Sequence, residues 1–417
     1  TGGNLKLGGA TVTSLGNTLT EGTGTIEYDY AGNQTVLSET YYNLTINNAT
    51  GTKTAGGDLD IDGDLTVTAG ILAVGANSAD VASGKTVNID GTLSISSGTF
   101  TANGPTDIDG TLSITTTGVY DADNTFTAAS GIVNFDGAGF LRCSNTVSSL
   151  GALSTDNGTV EYDGGTQDVL ADAYYNLEID QAGTKTAQGT VTAAGTLTVQ
   201  NNGLVVYDIA GTNTTVTGAT TVNHTGSSNS GTINITTGTF EANGTTDING
   251  TLTIDGAGTY DANNSFDASG ATVQFTGSGG FLKLGGTVTS LGTFTESTGT
   301  VDYDYAGDQS VKTRTYYNLN LKNSGTKRTP ASGSTFDVTV SNDFTIDNGV
   351  TFNLDLGNDN LVVQGDFTNN GTFTGTNQSV TFSGASSAGE TSSLINDASV
   401  DLIVSKTHAS GGVTFQG

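Results

Sequence analysis

The chain repeats itself, and that repetition limits its possible folds more than any other feature. Gly24-Thr25-Ile26-Glu27-Tyr28 returns as Gly158-Thr159-Val160-Glu161-Tyr162 and as Gly299-Thr300-Val301-Asp302-Tyr303. Asn4-Leu5-Lys6-Leu7 is echoed by Phe140-Leu141-Arg142-Cys143 and by Phe281-Leu282-Lys283-Leu284. Tyr41-Tyr42-Asn43-Leu44 matches Tyr174-Tyr175-Asn176-Leu177 and Tyr316-Tyr317-Asn318-Leu319, each followed by a Gly-Thr-Lys turn at Lys53, Lys185 and Lys327. These matches divide the 417 residues into units 1–137, 138–277 and 278–417. The third unit diverges after Pro330 and returns to the pattern at Val413-Thr414-Phe415.

A shorter rhythm runs inside each unit. Gly-x-Leu-(Thr/Ser)-(Ile/Val) occurs at 63–67, 91–95, 110–114, 195–199 and 250–254. Gly91 to Gly110 and Gly231 to Gly250 are the same short step. Within each motif apolar and polar residues alternate, as in Leu93-Ser94-Ile95, so one face points to a core and the other to solvent. A step near 20 residues with Gly or Asn turns predicts an all-β fold, a right-handed parallel β-solenoid of stacked coils. No stretch carries a helical apolar period. A row of small β-sandwiches would also use alternating strands, but the fine step is shorter than any sandwich domain.

Composition agrees once the repeat is recognised. The 93 Leu, Ile, Val and Phe residues are few for a globular chain, while Gly reaches 61. Thr suits strands, and Gly, Asn and Asp close turns. The net charge of −29 disfavours nucleic acid and anionic membranes as partners. One Cys cannot build a disulfide framework, and no apolar run approaches the roughly 20 residues of a membrane-spanning helix. There is no initiator Met and no charged-then-apolar leader, which reads as a mature or excised chain.

Both ends fall inside the repeat. Thr1-Gly2-Gly3-Asn4-Leu5-Lys6-Leu7 aligns with Ser278-Gly279-Gly280-Phe281-Leu282-Lys283-Leu284, and Val413-Thr414-Phe415-Gln416-Gly417 aligns with Val273-Gln274-Phe275-Thr276-Gly277. Joining one chain's C-terminus to another's N-terminus recreates the internal junction. The expectation is an end-to-end interface through Leu5, Leu7, Val413 and Phe415, with no caps. Its partners are copies of the chain head to tail, or further repeats of the same chain.

Chemical candidates are few. Asp58-Leu59-Asp60-Ile61-Asp62-Gly63-Asp64 matches the start of a calcium loop, so Asp58, Asp60, Asp62 and Asp64 are the candidate metal ligands. The bidentate Glu is absent, since position 12 is Ala69, and the same series reads as a strand with solvated carboxylates. No other cofactor is expected. Acidic pairs such as Asp107 and Asp109, or Asp302 and Asp304, are too numerous to single out a glycosidase. Six of the 12 basic residues (Lys6, Arg142, Lys283, Lys53, Lys185, Lys327) occupy equivalent repeat positions, as a structural role requires, so no catalytic residues are assigned. The densest basic stretch runs from Lys312 to Arg328 and reads as a solvated face or a local binding patch. His224 and His408 are read as surface residues, and Cys143, standing where Leu7 and Leu284 stand, as a buried apolar residue. Thr-rich faces invite ice binding, but no regular Thr-x-Thr series holds at every coil.

The cassette Gly-Thr-(Val/Ile)-(Glu/Asp)-Tyr, Tyr-Tyr-Asn-Leu, Gly-Thr-Lys and Gly-x-Leu-Thr-Val resembles the tandem repeats of large secreted bacterial surface proteins of the adhesin and filamentous-haemagglutinin-like β-helical kind. The resemblance covers most of the chain and carries no catalytic residue. It implies secretion, an extracellular or cell-surface location, and a structural role in a filament, an adhesin stalk or a biofilm matrix, with surface glycans as partners. The reading from another class is a carbohydrate-binding or carbohydrate-cleaving β-helix.

Overall fold

In the computed structural model every strand of the repeat lies parallel to its counterpart one coil away, giving an all-β parallel β-solenoid. The structure describes residues 2–16, 22–154, 156–225, 229–329, 337–354, 360–375, 379–384, 390–393, 401–406 and 413–416, and these contain no helix. They form two compact units, Thr1–Val205 and Val206–Gly417, whose border falls inside the second sequence repeat.

The first unit has three faces. The first runs from Asn4–Leu7 and Thr25–Tyr28 through the starts of Asn43–Ala55 and Leu65–Gly75, then Val87–Ile89, Thr106–Ile108, Phe126–Thr127 and Val147–Ser149. The second runs from Gln34–Val36 through the ends of the same two long strands to Thr92–Ile95, Thr111–Thr116, Ile132–Gly137 and Ala152–Leu153. The third stacks nine strands from Thr40–Tyr41 to Leu197–Val199. Inward positions form apolar columns, such as Leu72, Leu93, Leu112 and Val133, all buried. Each coil is too small to bury its own apolar face, so neighbouring coils complete the core.

The glycine of Gly-x-Leu sits at a corner where successive backbones touch. A Cβ on Gly110 would lie 2.0 Å from the Gly91 carbonyl oxygen, and one on Gly250 would lie 2.2 Å from that of Gly231. That close approach explains why the motif keeps Gly, whatever its conformation.

The long repeat is not a whole number of coils. From Thr25–Tyr28, six further strands stack on the first face, the last being Val147–Ser149. The equivalent Thr159–Tyr162 then lies on the third face, stacked on Phe140–Cys143. One repeat is therefore six and two-thirds turns, and the cassette reappears on a different side of the solenoid.

In the second unit one face stacks ten strands from Asn213–Val216 to Val413–Gln416. Its core includes a cluster of phenylalanine rings, Phe344 stacked on Phe367 with Phe352, Phe373 and Phe382 around them. One short antiparallel pairing interrupts the parallel order, between His224 and Ser230.

Candidate functional site

The repeated cassette builds three local devices. The first is a buried tyrosine pair. Tyr28 and Tyr41 bring their hydroxyls to 3.0 Å, Tyr162 and Tyr174 to 2.9 Å, and Tyr303 and Tyr316 to 3.0 Å. Each pair clamps one corner residue. The Leu170 N–H donates to Tyr162 Oη at 3.2 Å, and Tyr174 Oη donates to the Leu170 carbonyl at 2.8 Å. Leu37 is held the same way by Tyr28 and Tyr41, and Lys312 by Tyr303 and Tyr316. Because Tyr174 donates to the carbonyl, Tyr162 must donate to Tyr174, which closes the ring of bonds. Burial pushes these phenols above their ordinary range, Tyr303 to about 12, so they stay protonated hydrogen-bond donors.

The second device is an interior column of Gln on Lys. Gln34 is the cross-strand partner of Lys53, Gln167 of Lys185 and Gln309 of Lys327. The three lysines are buried on strands, where the sequence reading had a Gly-Thr-Lys turn. Lys53 Nζ donates to the carbonyls of Tyr30 at 2.9 Å and Gly32 at 2.8 Å. Lys185 donates to Gln181 at 2.6 Å, and Lys327 to Tyr305 and to Gly307 at 3.0 Å. Gln34 Nε2 reaches back one coil to the carbonyls of Leu7 and Gly9, as Gln309 does to Leu284 and Gly286. Burial pulls the Lys185 and Lys327 amines down to about 8.

The third device is an outward ladder of charge. Lys6 pairs with Glu27 at 2.9 Å, Arg142 with Glu161 at 2.8 Å and Lys322 with Asp302 at 2.7 Å. Glu161 also stands directly beside Glu178 on the next coil. Burial first, then the neighbouring Glu178, push its carboxyl up to about 7 against the pull of Arg142. Such a group exchanges its proton near neutrality. Glu161 is nevertheless buried, with Oε2 held by the Arg142 guanidinium, so the pair does not present acid and base across an open groove. A nearby hollow of about 430 Å³ is lined by polar groups including Ser144, Thr146, Gln167 and Asp168.

The basic stretch from Lys312 to Arg328 is not a free patch. Lys327 is interior, Lys322 and Arg328 pair with Asp302 and Asp308, and Arg314 donates to the Gly292 carbonyl. Cys143 is buried, burial pushes its thiol well up, and His224 is exposed. His408 lies outside the described residues.

Asp58, Asp60, Asp62 and Asp64 are all exposed, alternating with buried Leu59, Ile61 and Leu65 along the chain. Three of them are engaged one coil away: Asp58 accepts from the Ser78 N–H, Asp60 from Thr40 Oγ1 and Asp64 from the Thr86 N–H. Among the described residues no three His, Cys, Asp or Glu side chains form a group able to hold a metal. Leu59–Ile61 is a strand paired in parallel on both sides, with its Asp neighbours outward.

Leu5 and Leu7 stand on inner columns, over Ile26 and Tyr28. Leu5 is 49% exposed although Ile26 beneath it is buried, and among the described residues Asn4–Leu7 pairs with Thr25–Tyr28 alone. Val413 and Phe415 lie on the last strand of their sheet, paired with Glu390–Ser393, and their side chains are outside the described residues. Sequence reasoning missed the tyrosine clamp and the interior lysines, although strict alternation from Ala55 back to Lys53 carried the second. Comparison with family models, curated proteins and solved structures finds no match to this chain.

Proposed function

We propose that this chain is a non-enzymatic structural element of an extracellular filament, lengthened by adding one solenoid rung to another at its open strand edges. The carrying observation is the coil-on-coil stacking itself, in which each strand of the first face, from Asn4–Leu7 to Val147–Ser149, pairs in parallel with the next. An uncovered rung presents backbone donors and acceptors and apolar side chains together, which favours addition of another rung. Val413 and Phe415 are the proposed counterparts of Leu5 and Leu7 at the join. The repeated devices support the reading: each is present three times, the tyrosine clamp fixing a corner within a coil and the Gln–Lys column and charge pairs linking neighbouring coils. Among the described residues no helix is long and apolar enough to cross a membrane, and the charge of −29 argues against nucleic acid as partner. The stalk of a larger adhesin that contacts surface glycans would use the same rungs, and a carbohydrate-binding or carbohydrate-cleaving β-helix is the reading from another class.

Sedimentation velocity of wild type and Leu5→Glu tests this. Joined rungs would bury the new carboxylate, so the variant should stay a single chain where wild type assembles. Equal assembly by both proteins overturns the end-to-end reading.

A further inference from the structure

A feature that recurs in all three repeats serves the solenoid, so a binding site is to be expected where one repeat departs from the other two. The second repeat departs at one corner, on two successive coils. Ser144-Asn145 stands where the other repeats have Gly8-Gly9 and Gly285-Gly286. One coil on, Asp163-Gly164-Gly165-Thr166-Gln167 replaces the longer Asp29-Tyr30-Ala31-Gly32-Asn33-Gln34 and Asp304-Tyr305-Ala306-Gly307-Asp308-Gln309. The correspondence holds in space. Gln167 Nε2 donates to the Asn145 carbonyl as Gln34 does to that of Gly9 and Gln309 to that of Gly286. A Cβ on Gly183 would press on the Gly165 backbone, as one on Gly51 would on Gly32 and one on Gly325 on Gly307.

The two departures face each other across the hollow of about 430 Å³. In the other repeats a tyrosine ring lies on the corner glycine. A Cβ on Gly32 would come 2.8 Å from a ring carbon of Tyr30, and one on Gly307 2.9 Å from a ring carbon of Tyr305. A Cβ on Gly165 would meet nothing within 4 Å. The second repeat therefore lacks the tyrosine on one wall and carries two hydrogen-bonding side chains on the other. Asn145, Thr146, Thr166 and Asp168 are exposed around the opening, with Val147 buried beneath. Ser144 Oγ lies 3.1 Å from Asp123 Oδ1 and 3.0 Å from Asp163 Oδ1, and its single hydrogen can serve only one of them. A ligand hydroxyl can serve the other. The nearby cations are turned elsewhere, Arg142 to Glu161 and Lys185 to the Gln181 carbonyl.

We propose that this hollow binds a sugar ring of a neutral glycan. Its volume is at the small end of ligand sites, which run from about 300 to 1,000 Å³. Hydroxyl, amide and carboxylate groups on the walls match sugar hydroxyls, which donate and accept together. The carboxylates of Asp123, Asp163 and Asp168 oppose uronic and sialic acids. The ring lies on the bare backbone of Gly165, in the place that Tyr30 and Tyr305 take in the other repeats. The site belongs to one chain and does not depend on addition at the strand edges.

Saturation-transfer NMR of the full chain tests this with maltose, cellobiose, lactose, mannobiose and diacetylchitobiose, and with digalacturonic acid and sialyllactose as acidic controls. At least one neutral sugar should respond and the acidic sugars should not. Gly164→Tyr restores the ring of the other repeats, and Ser144→Gly restores their wall. Each should weaken binding about tenfold or more. Each introduces the residue found at the corresponding place elsewhere in the chain, so both should keep the wild-type circular dichroism and thermal midpoint. If Gly164→Tyr fails that check, Ser144→Gly carries the test. Thr101→Ala, outside the hollow, should leave binding unchanged. Silence from every neutral sugar, equal binding by wild type and the folded variants, or a response from acidic sugars alone would overturn the proposal. So would a response from tyrosinamide and from no sugar, which would assign the hollow to a protein side chain.

Discussion

Removing one hydroxyl from a tyrosine clamp should cost far more than removing one from the surface. In Tyr174→Phe the Leu170 carbonyl loses its donor at 2.8 Å, and Tyr162 Oη loses its acceptor at 2.9 Å. Tyr162 Oη is buried and the Leu170 carbonyl is half-buried, and phenylalanine keeps the packing of the T-shaped ring pair, 6.4 Å between centroids. An orphaned buried polar group costs about 1–3 kcal/mol, so one buried and one half-buried group together give roughly 2–4 kcal/mol. The loss falls on one corner, and a solenoid divides its stability among neighbouring coils, so the effect should be local. The suitable assay is hydrogen exchange of the peptide around Leu170, whose N–H the clamp also binds. Each 1.4 kcal/mol is about a tenfold loss of protection, so a fall of roughly thirtyfold or more is expected. Tyr175→Phe, the half-exposed neighbour, should change protection by less than about threefold. Equal effects from the two substitutions would refute the clamp.

Three further outcomes follow from charge. Glu161 titrates at about 7 in the fold against 4.5 in the open chain. Stability should therefore fall as pH rises from 4.5 to 7, by no more than about 3 kcal/mol, and Glu161→Gln should flatten that slope in urea unfolding. Lys185 shows the opposite sense, about 8 against 10.5. Between those values the unfolded chain holds more protons, so stability should rise with pH there, and Lys185→Met should reduce the rise. Thermal midpoints in calcium and in EDTA at matched ionic strength should coincide. An increase in calcium that is lost in Asp60→Asn would show that Asp58, Asp60, Asp62 and Asp64 gather around an ion after all.

The solenoid was legible in the sequence because alternation and the short step are both local. Leu93-Ser94-Ile95 and Leu112-Ser113-Ile114 stack in register as their spacing requires. Cys143, too, occupies the interior place of Leu7 and Leu284. The lysines were misplaced because a buried ammonium is rare and its partners, the carbonyls of Tyr30 and Gly32, lie on the previous coil. The turn of the cassette from the first face to the third was not legible. Coils on the first face vary between 18 and 22 residues, so fractions of a turn accumulate without any motif to mark them. The basic stretch from Lys312 to Arg328 was dense only in sequence, since alternation and the stacking of coils disperse it between core and surface.

The central claim is that one rung can be added to another at the open edges. Electron microscopy of the purified chain across a concentration series tests it most directly. The account predicts fibres with a regular axial period that lengthen with concentration and fail to form with Leu5→Glu. Single separate particles at every concentration would contradict it.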